Sequence, residues 1–282
     1  MKINNNIIDK ALGAYLGFAI GDALGATTEF MNENEIKHTY GVHRKIIGGG
    51  WLHLEAGNIT DDTQMCLYLG NSIIDNNGFD EKKVAIYFLN WMKSKPIDIG
   101  HTVRRGLVNF RKTGHCEVPY SEYAAGNGAC MRNLPIILYC LKNWNNFRDL
   151  TIKQCHITHN NKHSDAITIA FGEITKILIE TSDKEKAYNF VINFIDKHPK
   201  YNFLNYRGEN SGYVVDTFKI VMHYFFNNNT FYDILLPIVN KGGDCDTNGA
   251  LAGMLAGALY GRKGLYKGWL KKIKKEIKRD IE

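Results

Sequence analysis

Two short runs of oxygen donors, far apart in the chain, are the residues best suited to chemistry: Thr60-Asp61-Asp62-Thr63 and Gly243-Asp244-Cys245-Asp246-Thr247. Each stands just before or at the start of an apolar helical stretch, where the helix dipole and free backbone N–H groups favour ionised carboxylates. Helix capping accounts for one acid at a helix start. It accounts poorly for two, and does not explain the same excess at two helix starts. Four carboxylates gathered without a cation would repel and raise one another's pKa. Divalent metal removes that repulsion, and aspartate and hydroxyl oxygens are hard ligands that suit Mg²⁺ or Mn²⁺ rather than zinc. Two such ions sharing a bridging carboxylate and a water would generate a nucleophile. On residue types the metal reading stands ahead of capping, which remains the alternative.

The elements that must position these donors read as helices, because most segments show helical spacing rather than strand alternation. The spacing predicts helices over roughly 8–26, 62–76, 80–93, 100–112, 127–142, 163–181, 183–197, 211–226, 230–240, 245–260 and 264–281. The glycine-rich piece from Tyr40 to Asn58 reads as a loop or a short hairpin. Two helices carry glycine ridges: Gly13, Gly17, Gly21 and Gly25 in one, and Gly249, Gly253, Gly257 and Gly261 in the other. A glycine every fourth residue lies along one helical face, where another backbone can approach closely. Each interior glycine costs about 1 kcal/mol of helix propensity against alanine, so the ridges imply a compensating contact. These two helices are therefore expected at the centre of the bundle, against each other, with Glu29 and Asp244 held just beyond the ridges. The alternative is that the glycines merely make room for bulky neighbours. No repeat or linker is evident, and 1–282 reads as one compact, all-α, multi-helix domain.

Composition sets bounds on function. With 282 residues, 44% of them hydrophobic and 23% charged, the chain can bury a substantial core. The net charge is +6, but seven basic against three acidic residues between Lys267 and Glu282 supply +4 of it. The remainder has no electrostatic footprint of a nucleic-acid binder. Six cysteines without paired spacing fit reduced thiols in a cytoplasm rather than a disulfide framework or zinc site. The apolar run Ala11–Ile20 reads as a buried helix rather than a signal peptide, because Asp9 and Asp22 flank it. Ala250–Tyr260 is shorter than the ~20 residues that span a bilayer. At the C-terminus Trp269, Ile273, Ile277 and Ile281 share a helical face amid lysines. That pattern fits a terminal helix packed on the body with a solvated basic face. The alternative is peripheral docking onto an anionic membrane or a regulatory protein.

The ordered set of motifs resembles the ADP-ribosylglycohydrolase family. Its carriers are Gly21-Asp22-Ala23-Leu24-Gly25 with Glu29, the Thr60–Thr63 run, Gly126-Asn127-Gly128-Ala129-Cys130-Met131-Arg132, Thr158-His159-Asn160 and Gly242–Ala250. Tyr40–Lys45, Gly48-Gly49-Gly50-Trp51-Leu52, Pro119–Glu122 and Tyr213–Thr217 are similar to the members that act on dinitrogenase reductase. The resemblance covers nearly the whole chain in order; any one motif is weak, and their combination is specific.

The resemblance implies an all-α fold and a binuclear Mn²⁺ or Mg²⁺ centre. Thr60, Asp61 and Asp62 would bind one ion, and Asp244, Asp246 and Thr247 the other. Glu29 would be the general base, and Asp98 would contact or protonate the departing guanidine. Substrate contacts would come from Gly100, His101 and Thr102, from Gly126, Asn127, Gly128, Ala129, Met131 and Arg132, and from His159 and Tyr213. Gly126-Asn127-Gly128 precedes an apolar helix, so its N–H groups could cradle a pyrophosphate. The implied reaction is hydrolysis of the N-glycosidic bond between ADP-ribose and a protein arginine, with dinitrogenase reductase as the modified partner and ADP-ribose as product. Hydrolysis of another linkage (to serine or a small metabolite) and ADP-ribose binding without turnover are the alternatives. Two departures stand out: Gln64 occupies a position where the family often has an acid, and Cys245 lies between two implied ligands.

Overall fold

A computed structural model of the protein describes residues 3–282, and every regular element among them is helical. In chain order these are α1 (Asn5–Gly25), α2 (Glu33–Tyr40), α3 (Asp61–Asp75), α4 (Glu81–Lys93), α5 (His101–Thr113), α6 (Leu134–Cys140) and α7 (Phe147–His156). They continue with α8 (Lys162–Thr181), α9 (Lys184–Lys197), α10 (Val214–Asn227), α11 (Phe231–Val239), α12 (Cys245–Tyr260), α13 (Lys267–Leu270) and α14 (Lys275–Ile281). The expected all-α class holds: the described residues form no regular strand, and their β features are isolated bridges such as Asn32–Gly242 and Gly49–Leu54. All six cysteines are unbridged.

The chain divides into two compact units, one of residues Asp61–Gly172 and a larger one of Ile3–Thr60 with Glu173–Glu282. In the larger unit α1 and α12 pack antiparallel along their glycine ridges, as their spacing predicts. Gly13, Gly17 and Gly21 of α1 meet Gly257, Gly253 and Gly249 of α12 in turn. A Cβ on Gly13 would lie 2.5 Å from the Gly257 carbonyl oxygen, and one on Gly249 would lie 2.9 Å from that of Gly21. No side chain fits between the backbones. Both helices are buried along most of their length, so each is apolar all round rather than striped.

Four elements differ from expectation. The helix predicted over 127–142 begins only at Leu134, because residues 128–132 form turns and Pro135 then seats in the first helical turn. Helix α7 is missing from the expectations, since its polar sequence FRDLTIKQCH hides a single buried face built on Phe147, Thr151 and Cys155. Helix α2 is also missing from them; it starts from a capping box in which Asn32 and Glu35 satisfy each other's backbone N–H groups. The terminal helix predicted over 264–281 is broken into α13 and α14. Trp269 is buried, its indole N–H donating to the Arg44 carbonyl at 2.8 Å and its ring stacking on Tyr232. Between the two helices the Lys274 N–H donates to the Gly57 carbonyl, so tertiary contacts turn the chain there. Ile273, Ile277 and Ile281 are buried as well, so the apolar stripe is used in packing.

Candidate metal centre and active site

In the larger unit the chain after α1 turns through Thr27, Thr28 and Glu29 and then runs beside the segment that starts α12. The Phe30 N–H donates to the Gly243 carbonyl at 2.7 Å, and the Gly243 N–H returns to Met31 at 2.8 Å. Gly242 and Gly243 both have positive φ (72° and 64°), and a Cβ at either would strike backbone, of Met31 and Asn210 respectively. These two glycines bring Glu29 beside the start of α12. One carboxylate oxygen each from Glu29, Asp244 and Asp246 lie within 4.8 Å of one another, with Glu29 and Asp246 buried and Asp244 half-buried.

Three carboxylates this close in a poorly hydrated position suit a divalent cation. The donors are hard oxygens, and like charges at this range would otherwise drive one another towards protonation. Cys245 is fully buried between the two aspartates and points away from them, its Sγ 3.2 Å from Thr28 Oγ1 and 3.3 Å from the Gly25 carbonyl. Burial pushes its thiol well above the usual range. Thr247 is buried one residue beyond Asp246.

The second acidic run begins where the Thr60 N–H donates at 2.9 Å to Asp22 Oδ1. Asp22 is a buried carboxylate in the last turn of the apolar helix α1, and it anchors the chain entering that run. Asp22 stands in the Gly21–Gly25 motif with no role implied there by the resemblance, and its one mark in the sequence is a charge inside the glycine ridge. In the smaller unit Asp61 and Asp62 are buried in the first turn of α3, as is Thr63. Asp98 shares a hydrogen bond with Asp61 and accepts the Ile99 N–H at 2.7 Å. Burial raises the Asp98 carboxyl above its ordinary range, against those hydrogen bonds. Gln64 Oε1 accepts from the Trp91 indole N–H at 2.8 Å, so this departure from the family pattern braces α4 against α3.

The implied substrate residues of the smaller unit divide into surface and support. Gly100 caps α5 without a side-chain hydrogen bond, leaving the first N–H groups of that helix to other acceptors, with His101 exposed and Thr102 half-buried beside it. Gly128 packs edge to edge with His159: a Cβ there would lie 2.9 Å from His159 Cε1 and 3.3 Å from Val103 Cγ2. The Gly128 loop, the start of α5 and His159 therefore lie together. Asn127 is buried in the same loop, and Gly126 precedes it half-buried. Ala129, Met131 and Arg132 are buried beneath it. Arg132 has no exposed surface at all; its guanidinium donates to the Gln154 side chain and carbonyl, both at 2.9 Å, and to Thr158 Oγ1 at 2.8 Å, and lies over the Phe88 ring. Thr158 Oγ1 in turn stands 2.7 Å from His159 Nδ1. In the larger unit Tyr213 is half-buried at the start of α10, with Lys200 Nζ 5.6 Å above its ring.

A family model described as ADP-ribosylglycohydrolase matches residues 3–282, which takes in both units. The chain belongs to the ADP-ribosylglycohydrolase family. Among its relatives, ADP-ribosyl-[dinitrogen reductase] glycohydrolase of Rhodospirillum rubrum is 44% identical over 249 residues, 88% of this chain and 85% of that protein. ADP-ribosylarginine hydrolase Tri1 of Serratia proteamaculans is 34% identical over 261 residues, 87% of this chain and 70% of its own length. A solved structure titled as an ADP-ribosylglycohydrolase-related protein complex superposes with a TM-score of 0.86 at 30% identity, covering 99% of this chain and 97% of its own. Trp51 is a site-lining residue that sequence reasoning passed over. Its indole N–H donates to Glu29 Oε2 at 2.6 Å, and its place in the Gly48–Leu52 motif was the one signal available.

Proposed function

We propose that this family member is a metal-dependent ADP-ribosylarginine glycohydrolase, acting in the cytoplasm on an ADP-ribosylated protein, with dinitrogenase reductase as the substrate. The observation that carries the reading is the convergence of Glu29, Asp244 and Asp246 in a chain that matches its family from end to end. The names of the Rhodospirillum and Serratia relatives support arginine as the linkage and dinitrogenase reductase as the protein.

In this reading Asp244, Asp246 and Thr247 hold one divalent cation, and Thr60, Asp61 and Asp62 a second, Mn²⁺ or Mg²⁺ by the hardness of their oxygens. When bound, such ions supply Lewis acidity and an activated water. Glu29, fixed by the Trp51 indole, takes the proton of the attacking water. Asp98 contacts the departing guanidine. The N–H groups at the start of α5 and along Gly126–Gly128 receive the ribose and pyrophosphate, and His159 supports that loop from beneath. Glycosidic cleavage passes through an oxocarbenium-like state, which the neighbouring carboxylates stabilise.

Incubating the protein and Mn²⁺ with arginine-modified dinitrogenase reductase and, separately, with a serine-modified peptide tests the linkage. ADP-ribose release from the arginine substrate, abolished by EDTA, is expected; release from serine alone rejects the proposal. Asp244→Ala and Asp62→Ala are expected to fold, to lose turnover by at least about 100-fold, and to lose Mn²⁺ binding in calorimetry.

A further inference from the structure

Glu29 is followed by a residue in an unusual conformation. Phe30 has φ of 61°, a left-handed backbone that costs a non-glycine residue on the order of 1 kcal/mol and persists only where the surroundings impose it. The hydrogen bond from its N–H to Gly243 does so, and the same backbone that delivers Glu29 to Asp244 turns the phenyl ring outward, 65% exposed. A second aromatic meets it there. Gly48, Gly49 and Gly50 all have positive φ, and the turn they form is closed by paired hydrogen bonds between Gly49 and Leu54. Leu52 and Leu54 then pack on Ala26 at the end of α1. A Cβ at Gly50 would strike the Ala26 carbonyl, so the turn lies flat on the helix end. Trp51, at its tip, is 47% exposed, with its ring centroid 5.1 Å from that of Phe30.

These rings border an open groove of about 820 Å³ that is also lined by Glu29, Glu35, His38 and Tyr40. Two large aromatics left in water beside two carboxylates fit a particular kind of ligand. A guanidinium is planar and weakly hydrated, stacks on aromatic faces and pairs with carboxylates. Adenine would stack as well, but it is neutral, so its amino group could offer Glu29 or Glu35 a hydrogen bond without the charge pairing that a guanidinium brings. The pyrophosphate attached to it is anionic and would be repelled. Charge therefore assigns this groove to the cationic side of the substrate.

We propose that the Phe30–Trp51 pair and its groove receive the arginine of the modified protein segment, with the guanidinium against an aromatic face. Trp51 has a second part as a positioning residue, since its indole N–H holds one oxygen of Glu29. The proposal rests on the arginine-hydrolase reading above and names the groups that would select for arginine.

The test uses the full chain with Mn²⁺, an arginine-ADP-ribosylated peptide and four variants. Phe30→Asn removes the ring while keeping a residue that tolerates positive φ. Trp51→Phe keeps a ring and loses the donor, Trp51→Ala loses both, and Glu35→Gln removes a charge from the groove. Phe30→Asn is expected to raise KM for the peptide about tenfold, which corresponds to ~1.4 kcal/mol, with kcat and the calorimetric affinity for ADP-ribose within about twofold. Trp51→Phe is expected to lower kcat more than it raises KM, Trp51→Ala to change both, and Glu35→Gln to raise KM alone. Independently of turnover, N-acetyl-arginine amide is expected to change the wild-type tryptophan fluorescence saturably. Its neutral isostere, N-acetyl-citrulline amide, does not, and Trp51→Phe loses the response. Unchanged KM in both Phe30→Asn and Trp51→Ala overturns the proposal, as does weakened ADP-ribose binding in these variants, which would put adenine on the rings. If the wild type releases no ADP-ribose from arginine yet still distinguishes the two amides, the activity reading falls and the guanidinium groove stands. If it fails on both counts, both fall.

Discussion

Arg132 lies inside the protein with its guanidinium donating to Gln154 and Thr158, and burial lowers its pKa to about 10, leaving it cationic at neutral pH. Thr158 Oγ1, which accepts from Arg132, stands 2.7 Å from His159 Nδ1 and so ties the imidazole to the same buried network. Burial, with Arg132 and Arg105 nearby, depresses the His159 pKa to about 3. An unfolded histidine binds its proton near pH 6.5, so between that pH and about 3 the unfolded state holds more protons and stability falls as pH falls. Urea melts should show a loss of up to about 1.4 kcal/mol per pH unit below 6.5, and His159→Gln should flatten that slope. His156 acts oppositely: burial lowers its pKa, but Asp165 and Glu117 outweigh that and raise it. Its stabilising charge is present below pH 6.5 and is lost as pH rises through the raised value. His156→Gln should therefore weaken the fold at pH 5.5 and not at pH 9. At this scale the residue types of the acidic runs were legible, because carboxylates in excess of capping need a reason. The burial of Arg132 was not, since a sequence gives an arginine the same charge whether it faces a ligand or the core.

At the scale of elements, the α1–α12 pairing was readable because a four-residue glycine period has few physical uses. The two ridges do not interlock evenly. A Cβ on Gly21 would lie 2.0 Å from the Gly249 oxygen, whereas one on Gly249 would lie 2.9 Å from the Gly21 oxygen, a milder clash. Gly21→Ala should thus cost more than Gly249→Ala, by roughly 1–3 kcal/mol in urea unfolding, even though both gain helix propensity. Equal losses would mean that the helices slide apart to admit either methyl. The loop from Gly126 to Asn133 was harder to read. Its composition is compatible with helix, and what holds it in turns is a buried network, including Gln154 donating to the Ala129 carbonyl and to Asn133 Oδ1, both at 3.0 Å. Helix propensity carries no information about such a partner twenty residues away.

For the whole molecule, the charge asymmetry towards the C-terminus invites a reading as a docking tail, and packing argues against insertion. Trp269 and the three isoleucines of the stripe are buried, and Lys274 pairs with Glu55. Trp269→Ala is expected to cost about 3–5 kcal/mol in thermal or urea unfolding, as for other buried tryptophans. Flotation with anionic vesicles should show no binding beyond what raised salt removes, because lysines alone act through a screened potential. No helix among the described residues is long and apolar enough to cross a membrane.

The helical class and the close approach of α1 and α12 were determined by the sequence alone, because period and glycine spacing are local properties of the chain, and the two acidic runs were visible there as an excess of carboxylates. Tertiary structure decided which donors meet. Glu29 reaches Asp244 and Asp246 only because positive-φ glycines let two backbones touch, and Trp51 reaches Glu29 only because a glycine turn lies flat on a helix end. Such approaches depend on atoms that are absent, and a chain read one residue at a time does not show what its missing side chains admit.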